Sequence, residues 1–227
     1  MQRLASGRTA DVFALGDGRV LRRYRQAWDV TREAAVMAYV GRHGFPVPAV
    51  HRAEGPDLVM ERVDGPTMLT ALAAGTLDAV SGMRMLADLH ARLHAVPARP
   101  GTPDGQCVVH LDLHPDNVML TAGGPVVVDW SNATDGPADL DLAVTALILA
   151  EVAVDPAQPY AALAGAGLPL FLEAAGGSPE RGLDGAFAMR AANPTLSADE
   201  KSRLARAVSL VRNRALAVRG ASATPDS

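Results

Sequence analysis

The stretch His110-Leu111-Asp112-Leu113-His114-Pro115-Asp116-Asn117 carries a His-x-Asp-x-x-x-x-Asn core, and a further acid, Asp129, ends the apolar run Val126-Val127-Val128. Phosphoryl transfer needs this set of groups. One carboxylate receives the proton of a hydroxyl, while an amide oxygen and a second carboxylate hold a hard cation against phosphates. The spacing assigns the proton-accepting role to Asp112 and the oxygen-ligand pair for Mg²⁺ to Asn117 and Asp129.

Local elements must bring these groups together. A short strand at Val108-Val109 leads into the loop, and Pro115 stiffens the turn that returns Asn117. Val118-Met119-Leu120 and Val126-Val127-Val128, joined by Thr121 to Pro125, read as a hairpin that sets Asp129 beside Asn117.

The first sixty residues read as strands with one helix. Ser6-Gly7-Arg8-Thr9 is a small-residue turn before an apolar run, and Gly16-Asp17-Gly18 turns the chain into Arg19 to Tyr24. Asp29 offers an N-cap for a helix from Val30 to Val40 with Glu33 in its first turn. Leu58-Val59-Met60 is another strand, and Glu61 to Pro66 reads as a connector. Beyond it, helical periodicity covers Leu77 to Leu93, Asp139 to Glu151 and Leu163 to Ala175. A last helix starts at Ser197, where Ser197-Ala198-Asp199-Glu200 matches a capping box. Residues 221–227 read as a loose tail.

With 227 residues, 48% hydrophobic content and a mean hydropathy of +0.09, the chain has material for a folded core. A net charge of −4 gives no footprint for nucleic acid. No run is long enough to span a membrane, and the N-terminus lacks a signal-peptide core, so a cytoplasmic location is expected. The single cysteine, Cys107, forms no internal disulfide and reads as a small buried residue. Lys201 is the only lysine.

Taken together, these residues resemble the aminoglycoside phosphotransferase and choline kinase family, over roughly Ser6 to Leu149. The resemblance implies an α+β, bilobal protein-kinase-like fold: an N-terminal lobe (1–63) of antiparallel sheet with one helix, and a mostly helical C-terminal lobe (64–220). It implies ATP as co-substrate with Mg²⁺, a small-molecule hydroxyl as acceptor and no protein substrate. Asp112 is then the catalytic base, His110 a support for its loop, and Asn117 and Asp129 the metal ligands. The turn Ser6, Gly7, Arg8 and Thr9 covers the phosphates, Val20 floors the adenine, and Met60 lies behind it. Glu61 and Val63 meet the adenine through their backbones. Asp141 matches an acid of mainly structural use.

Two positions depart from the family pattern. The phosphate-binding lysine, braced by Glu33, falls at Arg22, since strand alternation places Val20, Arg22 and Tyr24 on one face and Arg23 on the other. Leu111 stands where the family usually has glycine and protein kinases have arginine. His90 and His94, four apart, have metal-binding spacing without an evident third ligand, and a structural role is expected for them. His114 reads as a hydrogen-bonded loop residue. In the family the stretch between Pro137 and Glu200 lines the acceptor side of the cleft, so its nine acids against Arg181 and Arg190 read equally as attraction for a cationic, amine-bearing acceptor and as ordinary solvated helix faces.

Overall fold

The computed structural model describes residues 1–26 and 28–222. Five antiparallel strands come first: β1 (Gln2–Ser6), β2 (Ala10–Gly16), β3 (Arg19–Tyr24), β4 (Val50–Glu54) and β5 (Asp57–Glu61). Their order across the sheet is β1-β2-β3-β5-β4, with α1 (Thr31–Arg42) between β3 and β4. Central β3 buries Val20, Arg22 and Tyr24 on one face and exposes Arg23, so the alternation read from sequence holds. Strands β1 and β4 are additions to that reading. Both are edge strands with mostly exposed side chains, which gives them no alternating apolar signature.

Helix α1 begins one residue later than expected. Asp29 still contributes, accepting the Thr31 N–H at 3.0 Å, although the cap position belongs to Val30. The connector after β5 runs close against the second half of the molecule. Gly65 has φ +148°, and a Cβ there would lie 2.1 Å from Leu120 O, so no side chain fits.

The remainder is mostly helical: α2 (Met68–Ala73), α3 (Ala79–His94), α4 (Ala138–Ala153), α5 (Ala161–Ala174), α6 (Pro179–Ala192) and α7 (Ala198–Ser222). Strand β6 (Cys107–Val109) pairs with a short β9 (Thr134–Gly136), and β7 (Val118–Thr121) with β8 (Gly124–Val127) as the expected hairpin. Leu86, Leu89 and Leu93 of α3 and Ala143, Val144 and Leu147 of α4 are fully buried, which makes these two helices the floor on which the loop between β6 and β7 rests. At the start of α7 the capping box forms as read: Glu200 N–H donates to Ser197 Oγ (3.2 Å) and Ser197 N–H to Glu200 Oε2 (2.8 Å). Helix α7 continues to Ser222, two residues into the segment read as a tail, and 223–227 lie outside the described residues. No described helix is long and apolar enough to cross a membrane.

Candidate active site

Asp112 projects from the β6–β7 loop, a quarter exposed. Its backbone carbonyl accepts from Asn117 Nδ2 at 2.9 Å, and its Oδ2 lies 3.4 Å from the same nitrogen. Burial pushes the Asp112 carboxyl above the usual range, only partly opposed by His114. Because Asn117 spends its nitrogen on Asp112, its oxygen remains as a donor to a cation. Val128 N–H donates to Asn117 O at 3.0 Å, so the hairpin delivers Asp129 next to Asn117. These oxygens suit a hard divalent ion.

The loop itself is clamped from below. Asp141 of α4, fully buried, accepts Leu111 N–H at 2.6 Å on Oδ1 and His110 N–H at 3.2 Å on Oδ2. Leu111 has φ +60°, a left-handed conformation that costs a leucine about 1–2 kcal/mol and glycine almost nothing. That conformation accounts for the glycine usual in the family. Here the Asp141 bond holds the leucine in it.

Asp141 also meets His94 Nε2 (2.9 Å) and lies 3.3 Å from His90 Nδ1, so the two histidines do have a convergent third group. Burial alone would raise its pKa; His90 and His94 instead hold it well below the carboxylate range. His90 Nε2 contacts Thr145 Oγ1 at 2.9 Å, and that hydroxyl donates to Leu113 O at 2.6 Å. His110 Nε2 bonds Val128 O at 3.1 Å, and burial pushes the ring down to about 4. It therefore braces the loop as a neutral group.

Opposite this loop, Arg22 of β3 is buried in an ionic cluster. Its Nη1 donates to Glu33 Oε1 at 3.3 Å and its Nη2 to Asp129 Oδ1. Tyr24 OH donates to Glu33 Oε2 at 2.7 Å, with the guanidinium carbon 5.0 Å from the Tyr24 ring centre. Burial works against the arginine's charge, but Asp129 and Glu33 raise its pKa. Burial also lifts the Glu33 carboxyl, and Arg22 overcomes burial at Asp129 and lowers it. Tyr24 joins the site from the Arg22 face of β3, and that shared strand face is its signal in the sequence.

The turn from Gly7 to Thr9 is wrapped around Arg25, whose guanidinium reaches Ser6 Oγ (2.7 Å), Gly7 O (3.0 Å) and Arg8 O (3.2 Å). Arg8 points away from the turn's interior. Its nitrogens reach Thr195 O (3.0 Å) and Glu200 Oε1 (2.6 Å) across the cleft. Val20 and Met60 face each other in the β3–β5 register, both buried. Glu61 N–H donates to Ala49 O and Arg62 N–H to Gly18 O, both at 2.8 Å, so Val63 is the first connector residue beyond the sheet's ties.

The acids counted between Pro137 and Glu200 are largely spent. Glu151 pairs with Arg190 (2.7 Å), Asp155 with Arg203 (2.8 Å), Asp184 with Arg212 (2.8 Å), Glu180 with Arg219 and Glu200 with Arg8. Most of these arginines lie outside the counted segment, on α7, which the local count omitted. Arg190 is close enough to Asp112 for the two to affect each other's charge.

The profile of the phosphotransferase enzyme family (APH) matches residues 1–106 and 102–177. No curated protein matches the sequence. Among solved structures, the gentamicin complex of APH(2")-IIa superposes with a TM-score of 0.57 at 14% identity, covering 93% of this chain and 90% of that one. A choline/ethanolamine kinase family protein from Mesorhizobium loti gives 0.55 at 15% identity, covering 99% and 88%. Amicoumacin kinase hAmiN, in complex with AMP-PNP, Ca²⁺ and Ami, gives 0.53 at 15% identity, covering 94% and 88%. These likenesses show a kinase-like fold, and the sequence profile spans most of the molecule. The chain belongs to the phosphotransferase enzyme family.

Proposed function

We propose that this chain transfers the γ-phosphoryl group of ATP to a hydroxyl of a small molecule. The observation that carries the reading is the convergence of Asp112, Asn117 and Asp129 opposite the Arg22–Glu33 pair. The acceptor oxygen forms a new bond to the γ-phosphorus, the bond from that phosphorus to the β–γ bridging oxygen breaks, and ADP leaves. Asp112 receives the hydroxyl proton. Its raised pKa makes it a better base at neutral pH than an ordinary carboxylate. Mg²⁺, bound by Asn117 Oδ1 and Asp129, would supply charge neutralisation on the phosphates. Arg22 supplies the phosphate-facing cation, with Glu33 and Tyr24 fixing its plane.

The nucleotide lies between Val20 and the connector, with Met60 behind the adenine and the Glu61 and Val63 backbones at its edge. Ser6, Gly7, Arg8 and Thr9 cover its phosphates. The lobes divide at Val63, giving 1–63 and 64–220. A similar structure solved with gentamicin and another named for choline or ethanolamine put amine-bearing acceptors, aminoglycoside-like or amino alcohol, first in a screen. In this chain the acids that would attract an amine are tied to arginines, which weakens that preference.

A second reading, a nucleotide-binding module with little turnover, draws on the arginine at the lysine position. An ATP-consumption screen over hydroxylated acceptors, with Asp112→Asn alongside, separates the two. Acceptor-dependent ADP release in wild type and its loss in the variant support transfer. Mg·ATP binding with no turnover on any acceptor supports the module.

A further inference from the structure

A cavity of about 220 Å³ opens directly beside the catalytic loop, where α2, α3, α4 and α5 meet. Its walls are apolar, formed by Leu72, Met83, Ile148, Val152, Leu163 and Ala164. On one side the loop itself closes it through His114, Pro115 and Asp116, and exposed Asp116, Gln158 and Tyr160 mark the mouth. His114 thus borders both the cavity and the base: its Nε2 lies 3.9 Å from Asp112 Oδ1 and 3.3 Å from Asn117 Nδ2. Its Nδ1 accepts the Asp116 N–H at 3.3 Å, which ties the ring to the loop.

We propose that this cavity is the subsite for an apolar, aliphatic or aryl, part of the acceptor, whose hydroxyl is carried past His114 to Asp112. The inference rests on the phosphotransfer reading and names the acceptor's class. Size supports a subsite: the volume exceeds the ~150 Å³ of a cavity that takes benzene. It falls short of the roughly 300–1,000 Å³ that houses a whole drug-sized ligand. Chemistry agrees, because a ring seated against these walls is removed from water, whereas the acids of α4 and α6 are already paired.

The probes are 3-phenyl-1-propanol and 1,3-propanediol, which share a primary hydroxyl and differ in the aryl group. Calorimetry on the full chain should detect the phenyl compound and not the diol. Ala164→Leu, which fills the cavity from α5, should weaken the phenyl probe about tenfold or more, the scale on which apolar pockets reject excess methylenes, and leave Mg·ATP affinity unchanged. Ala79→Leu fills the same space from α3 and serves if the first variant fails to fold. Equal binding of both probes, or a phenyl affinity indifferent to both substitutions, overturns the inference. Failure of wild type to bind Mg·ATP would overturn the phosphotransfer reading instead, a separate measurement from the probe pair.

Discussion

Arg22 and Asp129, 107 positions apart in the chain, are joined by a charge-assisted hydrogen bond, and the other arm of the same guanidinium holds Glu33. A lysine ammonium at this place is a point charge, whereas the guanidinium's planar fork reaches two carboxylates at once. The arginine is therefore a built-in part of this cluster.

Arg22→Ala leaves Glu33 buried without its cation. Breaking a buried pair in this way costs about 3–5 kcal/mol, so the unfolding midpoint in denaturant should fall sharply. Arg23→Ala, which removes a half-exposed partner of Asp57, should leave the midpoint near that of wild type. Arg22→Lys should retain charge but bind Mg·ATP more weakly than wild type. If it binds as tightly, the site is indifferent to the fork.

If Asp112 is the base proposed above, Asp112→Asn should reduce turnover by roughly 10²-fold or more while nucleotide binding persists. The wild-type pH profile carries its own signature. A base must be deprotonated, and burial raises this carboxyl, so the acid limb of kcat/KM should lie above the ordinary aspartate value of about 3.9. Activity is present above that raised value and falls as pH drops through it. An acid limb at or below the ordinary value would mean that another group is the base.

What was legible in the sequence was legible for physical reasons. Catalytic chemistry fixes residue types at fixed spacing, so Asp112, Asn117 and Asp129 stand out before any fold is known. Strand alternation then chose Arg22 over Arg23, and the Ser197–Glu200 capping box marked the start of α7. Helix α6 stayed hidden because Gly182 and Gly185 dilute its helical signal. Gly182 is there for packing, since a Cβ would lie 2.3 Å from Asp139 O. The fate of the acids was hidden too: Asp184 and Arg212 are 28 positions apart, and Glu200 and Arg8 are 192 apart. Local charge counting cannot see such partners, nor a cavity assembled from four helices.

Asp141→Asn tests the clamp under the catalytic loop. An amide in place of the carboxylate weakens the bonds to His110 and Leu111 N–H and no longer offsets His90 and His94. The loop should then relax from the strained Leu111 conformation, with turnover falling more than Mg·ATP affinity. Stability has a defined sign here. The folded pKa of Asp141 is depressed, so its contribution is fully present above the ordinary value of about 3.9 and is lost as pH falls through the folded value. Wild type should lose stability over that acid window faster than the variant. Parallel acid unfolding curves would show that Asp141 contributes no such linkage.

Arg8 links the Ser6–Thr9 turn, which we propose covers the phosphates, to Thr195 O and Glu200 in the second half of the chain. Its side chain is more than half exposed, so the pair is open to screening by salt. Arg8 holds the Glu200 carboxyl down at about 2, which keeps that carboxylate ionised at neutral pH. Arg8→Ala should therefore speed release of a fluorescent ADP analogue in stopped-flow, and ~1 M salt should move wild type towards the variant. Between pH 5 and pH 8 the difference should hold constant, since the Glu200 carboxyl is already ionised there. If release from wild type and variant is equally fast at low salt, the contact does not restrain the turn, and nucleotide exit is governed elsewhere in the cleft.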